Sequence, residues 1–217
     1  MFSFIGVTMN TDYKTVKIES SDEFTEKRSR FIGYVRPVKT EAEATEFINS
    51  IRSKHWDARH NVYAYSLREG NIKRYSDDGE PSGTAGMPVL DVITKNEVYD
   101  VCVVVTRYFG GVLLGTGGLV RAYSQGSKIA LEAGQVVLMQ NCLVCSLTCS
   151  YNQYGKISSL IPDNGGVIDD SVFETDVKLS FHIKPDGLPA LNKKLADLTS
   201  GVVQAISDSE QYFMTEI

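Results

Sequence analysis

The chain has 217 residues, of which 42% are hydrophobic and 23% charged, so it carries enough apolar material for a core and is not a disordered chain. Its net charge of −5 excludes a strongly basic, non-specific nucleic-acid binder. No apolar run is long enough to span a membrane, and Met1 to Asn10 lacks the basic start and cleavage site of a signal peptide. We therefore expect a soluble, cytoplasmic protein.

The charge composition changes near residue 140. Residues 1–139 hold 17 basic and 17 acidic residues, whereas residues 140–217 hold 5 and 10. All nine arginines lie at or before Arg121. We therefore expect two domains, residues 1–138 and 139–217, joined near 136–141.

The elements of the first half follow one another closely. Residues 14–20 and 30–38 alternate as strands do, and Thr40 can cap a helix over 41–54. Residues 62–67 and 72–75 resemble a hairpin, and a turn-rich stretch over 77–86 leads into a short helix that begins near Pro88. The nearly continuous apolar run over 98–109 predicts a strand buried on both faces, and a helix follows to about Ala133.

The second half has a regular order of elements. Strands are predicted over 141–150, 167–174, 177–184 and 201–207, with helices over 153–161 and 187–199. This βαββαβ order is typical of a ferredoxin-like domain, in which a four-stranded antiparallel sheet is covered by two helices.

The strongest candidate site is the glycine-rich turn that joins the buried strand to the helix after it. A helix start offers free N–H groups, and glycines let a ligand approach the backbone, so this turn suits a phosphate or carboxylate. Two arginines flank it as bidentate partners. The alternative is tight packing, with both arginines solvated or paired to acids of the protein. The candidate ligand-binding residues are Arg107, Tyr108, Gly110, Gly111, Gly115, Thr116, Gly117, Gly118 and Arg121.

The turn-rich stretch upstream supplies a second set of candidates, Asp77, Asp78, Glu80 and Ser82. Adjacent acids on a flexible loop could hold Mg²⁺ or pair with Arg107 or Arg121. Alternatively, they serve only as turn formers. We expect residues 77–84 and 107–121 to meet at one concave surface, because their charges are complementary.

Other chemically notable residues give weaker signals. Arg28 and Arg30 would share one face of a strand and could contact RNA phosphate, although a solvated face is the plainer interpretation. We expect Trp56, the only tryptophan, to pack rather than stack on a base. The four cysteines are expected to be reduced and free of metal.

Two long segments carry a family resemblance. Residues 74–86, with the letters RYSDDGEPSGTAG, and residues 106–115, with the letters TRYFGGVLLG, resemble the signature of the YigZ/IMPACT family. Residues 28–31 and 60–65 also resemble the amino-terminal half of that family. The core resemblance covers about residues 14–133, and the βαββαβ tail resembles the family's bacterial two-domain members.

The resemblance implies a fold and a field of function. It implies an α+β protein, with an amino-terminal domain similar to the left-handed βαβ fold of a small-subunit ribosomal protein, of domain four of elongation factor G and of GHMP kinases. The tail would resemble the last domain of elongation factor G. The resemblance also implies that eukaryotic relatives bind the activator of the amino-acid-starvation kinase and so restrain control of translation initiation. We do not expect this chain to carry the partner-binding domain that usually precedes the core in those relatives, so that role does not simply carry over.

Two functions from different classes follow from these observations. The first is a binding protein associated with translation regulation, which contacts RNA, the ribosome or a protein partner. The second is an enzyme acting on a phosphorylated small molecule or nucleotide through the glycine-rich loop. No catalytic residue, metal or cofactor is assigned by the sequence.

Overall fold

A computed structural model describes residues 11–216 of the protein. Met1 to Asn10, on which the expectation about a signal peptide rests, lies outside the described residues. The chain divides into two compact units, of which the first consists mainly of Tyr13–Leu138 and the second mainly of Met139–Thr215. The assignment of separate domains to 1–138 and 139–217 stays a prediction. None of the helices described is long and apolar enough to cross a membrane.

A five-stranded antiparallel sheet forms the centre of the first unit. Its order is β2-β3-β6-β4-β5. Since β3 and β4 both run antiparallel to β6, they are parallel to each other, and the helix between them makes a crossover past β6. The strands of this unit are β1 (Tyr13–Val16), β2 (Ser20–Glu26), β3 (Ser29–Pro37), β4 (His60–Leu67), β5 (Ile72–Ser76) and β6 (Val101–Tyr108).

Three helices cover the two faces of this sheet, and a 3₁₀ turn over Glu69–Asn71 joins β4 to β5. The helices are α1 (Glu41–Lys54), α2 (Gly86–Lys95) and α3 (Thr116–Ala133). Alternate residues of β6 enter two different cores. Val101, Val103 and Val105 pack with α2 and α3, whereas Cys102 and Val104 pack with α1. The strand predicted to be buried on both faces is therefore buried in this way.

Local sequence signals set the bounds of α1. Thr40 accepts a hydrogen bond from the backbone N–H of Glu43 at 3.2 Å, which satisfies one of the free donors of the first turn. The buried positions Ala44, Phe47, Ile48 and Ile51 follow helical spacing and face the second core. The helix spans the residues that the sequence predicts.

The second unit contains a ferredoxin-like arrangement. Its elements are β7 (Val136–Cys149), α4 (Tyr151–Asp163), β8 (Val167–Phe173), β9 (Val177–Ile183), α5 (Gly187–Thr199) and β10 (Ile206–Glu216). The strand order β10-β7-β9-β8 is that of the split βαβ motif, so the predicted fold class is confirmed. The last strand begins at Ile206 rather than near residue 201.

The first strand of this unit is longer than the sequence predicts. Strand β7 begins at Val136 and continues to Cys149, so residues 136–141 lie inside a strand rather than in a connecting loop. The charge composition marks the change of unit, but it carries no information on whether the backbone bends there.

The four cysteines are buried and none forms a disulfide. Cys145 and Cys149 belong to the core of the second unit, and Cys142, at the opposite parity of β7, does not. Burial raises the pKa of Cys145 to about 11, so this thiol stays protonated at neutral pH.

Candidate functional site

Four loops of the first unit converge at one end of its sheet. Strand register brings this end together, because Glu26 pairs with Ser29, Arg30 with Tyr108, and His60 with Arg107. We call this surface the loop end. It consists of the β2–β3 turn (27–28), the segment after α1 (55–59), the acidic loop (77–85) and the glycine-rich loop (109–115).

Arg107 joins the two segments that the sequence predicts to meet. Its Nη1 donates to Oε1 of Glu80 at 2.6 Å, and its Nη2 donates to Oγ of Ser29 at 3.4 Å. Tyr123 donates to the same Glu80 oxygen at 2.8 Å, and burial together with that carboxylate raises the pKa of Tyr123. Arg107 is only 5% exposed. The arginine is therefore a buried partner of Glu80 rather than an exposed ligand of an anion.

The other two acids of the acidic loop hold the backbone in place. Asp77 accepts hydrogen bonds from the N–H groups of Gly83, Ala85 and Gly86 at 2.8 to 3.0 Å, and so closes the loop over the start of α2. Asp78 accepts from the N–H of Asn61 at 2.7 Å and from Nη2 of Arg52 at 2.8 Å. Asp77 therefore acts as a turn former, as the plainer interpretation of the sequence has it, whereas Asp78 joins the loop to α1 and β4.

The acidic loop is also the place where the sequence allows Mg²⁺ as a ligand. Within residues 11–216, no cluster of three or more His, Cys, Asp or Glu side chains is arranged to hold a metal ion. Ser82 is exposed on the same loop.

The glycine-rich loop has backbone features that only glycine supplies. A side chain at Gly110 would overlap the backbone carbonyl of Arg28, and the N–H of Gly110 donates to Oγ of Ser29 at 3.2 Å. Gly111 and Gly115 have φ of 81° and 74°, in the left-handed region. Gly115 precedes the first residue of α3, Thr116, and the helix continues through Gly117 and Gly118.

Arg121 lies apart from the pair formed by Arg107 and Glu80. It is exposed on α3 and lines a groove between α2 and α3. The two arginines therefore do not serve as a pair of free ligands around one anion, because Arg107 is already bound within the protein. Sequence spacing could not show this, since the side chain of Arg107 turns inward at the last position but one of β6.

A hydrogen-bonded chain that the sequence did not reveal fixes the segment after α1. Nε2 of His55 lies 2.6 Å from the hydroxyl of Tyr34, and Nδ1 lies 2.9 Å from the hydroxyl of Tyr108. Tyr108 donates in turn to Asp57 at 2.9 Å. Because the Tyr108 proton goes to Asp57, His55 donates from Nδ1 and accepts at Nε2 in its neutral form. Burial and the nearby charge of Lys54 lower the pKa of His55, which favours that form.

Trp56 lies between His55 and Asp57 and is 83% exposed. The expectation that it packs is therefore wrong. The sequence did hold a signal, because Trp56 falls five positions after Ile51 and outside the stripe that α1 buries. A large indole held in water between two anchored neighbours is available to stack on a flat ligand.

The β2–β3 turn has an unusual composition. It consists of Lys27 and Arg28, with φ of 44° and 66°. Two-residue hairpin turns with positive φ at both positions normally use Asn-Gly or a similar pair, because a Cβ is strained there. Arg28 is thus a turn residue and not a strand neighbour of Arg30, which pairs with Glu23 at 2.5 Å.

Three exposed cations at the loop end have no acidic partner within 4.0 Å in the described part of the chain. They are Lys27, Arg28 and Arg59. The loop end also exposes Phe109, at 41%, and Leu113, at 83%. The surface therefore combines free positive charge, two aromatic rings and a rigid base built from buried hydrogen bonds.

Comparison with known proteins places this two-unit architecture in one family. Residues 27–131 match the Impact N-terminal domain, and residues 147–202 match a domain of unknown function, DUF1949. The chain belongs to the IMPACT family. It is 37% identical to the IMPACT family member YvyE of Bacillus subtilis over 87% of this chain and 88% of that protein.

Further relatives extend this relationship. The chain is 35% identical to the IMPACT family member YigZ of Escherichia coli over 85% of this chain and 92% of that protein. It is 39% identical to a Protein IMPACT homolog of Dictyostelium discoideum over 45% of this chain and 29% of that protein. A crystal structure of a hypothetical protein matches 92% of this chain and 98% of its own, at 32% identity and a TM-score of 0.57.

Proposed function

We propose that this protein is a translation-associated RNA-binding protein that contacts structured RNA, such as that of the ribosome, through the loop end of its first unit. Membership of the IMPACT family supports a regulatory role, and the family resemblance links that role to translation. The observation that carries the proposal is the Lys27–Arg28 turn. Strained backbone in a non-glycine residue is retained where the side chain matters, and these two side chains are exposed cations.

The rest of the loop end supplies what RNA needs besides charge. Trp56 offers an open ring on which a base can stack, and stacking contributes about 1–3 kcal/mol per base. Arg59 adds a third cation three residues further along the chain. Because the whole chain carries a charge of −5, binding that depends on non-specific attraction alone is weak, so a surface shaped for a particular RNA is favoured.

The alternative function, an enzyme acting on a phosphorylated small molecule, rested on the glycine-rich helix start and the acidic loop, and the charged groups of these segments are engaged within the protein. Arg107 is bound to Glu80, and the carboxylates of Asp77 and Asp78 accept hydrogen bonds from backbone and from Arg52. A protein partner at the loop end is the remaining competitor, and Leu113 would suit one. The experiment below separates the two.

The proposal is tested by titrating short RNA hairpins and purified ribosomal subunits against the protein at two salt concentrations. Trp56 is the only tryptophan, so its emission reports directly on the loop end. We expect Lys27→Ala with Arg28→Ala to weaken RNA binding and to reduce the salt slope by about one for each cation. Trp56→Ala should weaken binding about tenfold.

The matched control removes two exposed cations from the second unit, as Lys193→Ala with Lys194→Ala. This variant changes the net charge equally and should bind RNA like the unmodified protein. Equal losses in both double variants would show that only net charge matters. If ribosome binding survives nuclease treatment and is lost when Leu113 is replaced, the loop end binds a protein partner rather than RNA.

A further inference from the structure

A second surface of the first unit lies on the outer side of α2 and α3. It is a groove of about 740 Å³, within the range of ligand and peptide sites. We call it the helix groove. Its aliphatic residues are Val92, Val120, Leu131 and Val136, and its cations are Lys14, Lys95, Arg121 and Lys128.

The charges of the helix groove are only weakly satisfied within the protein. Lys128 lies 3.7 Å from Glu132, the one acid in the lining, Lys95 lies 3.9 Å from Asp91, and Lys14 lies 3.9 Å from Glu97. Exposed pairs of this length contribute little and exchange easily with other carboxylates. Arg121 has no acid within 4.0 Å among the residues described. The lining therefore holds four cations and one acid around an aliphatic floor, and three of those cations form only long, exposed pairs.

We propose that the helix groove docks an acidic amphipathic helix of a partner protein. Aliphatic side chains of such a helix would cover the three valines, of which Val120 is 38% exposed, and its carboxylates would meet the cations at the rim. The part of α3 that lines the groove runs from Val120 to Glu132, which corresponds to about three turns. This site goes beyond the RNA contact proposed above and uses a different set of residues.

Two other occupants fit the groove less well. RNA would meet the cations, but the lining contains no aromatic ring for its bases, and the aliphatic floor would stay uncovered. A second copy docked through the same surface would bring two linings together in which cations outnumber acids four to one, which costs free energy. A helix with acids flanking aliphatic residues matches both the floor and the rim.

The test uses a fluorescein-labelled peptide of about three helical turns, with leucines on one face and glutamates elsewhere. A scrambled peptide of the same composition has no continuous leucine face. We expect the amphipathic peptide to bind at micromolar concentration. In NMR spectra it should change the chemical shifts of backbone amides in α2 and α3. The scrambled peptide should bind at least about tenfold more weakly, because it cannot cover the floor.

Variants of the protein separate the groove from net charge. Arg121→Glu with Lys128→Glu should weaken peptide binding at least about tenfold, and Val120→Asp should do so without a change in rim charge. Lys193→Glu with Lys194→Glu is the matched control and should leave peptide binding unchanged. The Lys27 and Arg28 variants of the loop end should also leave peptide binding unchanged. Circular dichroism checks that each variant is folded.

Several results would overturn the proposal. They are absence of binding by the amphipathic peptide, equal binding by the scrambled peptide, and equal binding by the Arg121 and Lys128 variant. If RNA instead changes the NMR chemical shifts of the backbone amides in α2 and α3, the groove is a nucleic-acid site. Analytical ultracentrifugation could instead show that the protein is a dimer and that Val120→Asp makes it monomeric. The occupant of the groove would then be a second copy of the chain, which could bind through its acidic residues in 140–217.

Discussion

Arg107 and Glu80 form an ion pair of 2.6 Å in which both side chains are almost completely buried, at 6% and 4% exposure. The pair joins β6 to the acidic loop after β5, and Tyr123 of α3 donates to the same carboxylate oxygen. It therefore fixes the acidic loop and α3 to the sheet. Nε of Arg107 is buried without a hydrogen-bond partner, which adds a local cost to this arrangement.

Loss of either member of this pair should destabilise the protein strongly. Arg107→Met leaves the Glu80 carboxylate buried opposite an apolar chain, and Glu80→Gln leaves the guanidinium uncompensated. We expect each change to lower the free energy of unfolding by about 3–5 kcal/mol. The double variant should lose less than the sum, because no unpaired charge remains. Urea unfolding followed by circular dichroism measures all four proteins, and additive losses would contradict the coupling.

The hydrogen-bonded chain through His55 predicts a dependence of stability on pH. Burial, with the charge of Lys54, lowers the pKa of His55 below its ordinary value of 6.5. The folded state thus binds fewer protons than the unfolded state. The stabilising contribution is complete above pH 6.5 and is lost as the pH falls below that value towards the folded pKa.

Urea midpoints measured from about pH 8 to about pH 5 test this expectation. His55→Asn removes the titrating group, so its midpoints should fall less over that range than those of the unmodified protein. Tyr34→Phe removes the hydroxyl that donates to Nε2 and should reduce stability at the upper end of the range. Identical curves for the unmodified protein and His55→Asn would rule out this contribution.

Two glycine substitutions should have opposite effects. A Cβ at Gly110 would overlap the backbone of Arg28, so Gly110→Ala must push the β2–β3 turn away from the glycine-rich loop. We expect a loss of about 1–3 kcal/mol, in line with overpacked sites. Gly155, in α4, has no atom beyond its chain neighbours and the adjacent helix backbone within 4 Å of an added Cβ, and Gly155→Ala should add about 0.5–1 kcal/mol. Thermal unfolding of both variants checks the contrast, and a neutral Gly110→Ala would show that the turn yields freely.

Much of the fold follows from local periodicity. Helices α1 and α5 span the residues that the sequence predicts, because their apolar spacing and flanking residues are clear. Strand β2 was missed because its letters SSDEFTE include only one hydrophobic residue, Phe24. Phe24 lies opposite Phe31 of β3 and stacks on it with ring centres 5.3 Å apart, and a single such cross-strand pair leaves no alternating pattern in the sequence of β2.

The candidate site was predictable in part. The contact between residues 77–84 and 107–121 was expected from complementary charge, and the pair of Glu80 with Arg107 provides it. The inward direction of Arg107, the exposure of Trp56 and the turn at Lys27 were not predictable. The direction of Arg107 and the place of the turn depend on strand register, which decides the face on which a side chain emerges, whereas Trp56 lies in the segment after α1.

Replacement of the Lys27–Arg28 turn by Asn-Gly should raise the stability of the protein and weaken its binding to RNA. Both residues hold positive φ, which costs an L-residue with a side chain about 1–2 kcal/mol, whereas Asn-Gly is the pair preferred at such positions. Lys27→Asn with Arg28→Gly should therefore raise the free energy of unfolding by about 1–2 kcal/mol and weaken RNA binding through loss of two cations.

Lys27→Ala with Arg28→Ala is the matched comparison, because it removes the charges and keeps the strain, so RNA binding should fall without a gain in stability. Urea unfolding and RNA titration of both variants separate the two effects. If the Asn-Gly variant is no more stable than the unmodified protein, the turn is not strained. If it binds RNA as tightly as the unmodified protein, the turn is not part of the RNA-binding surface.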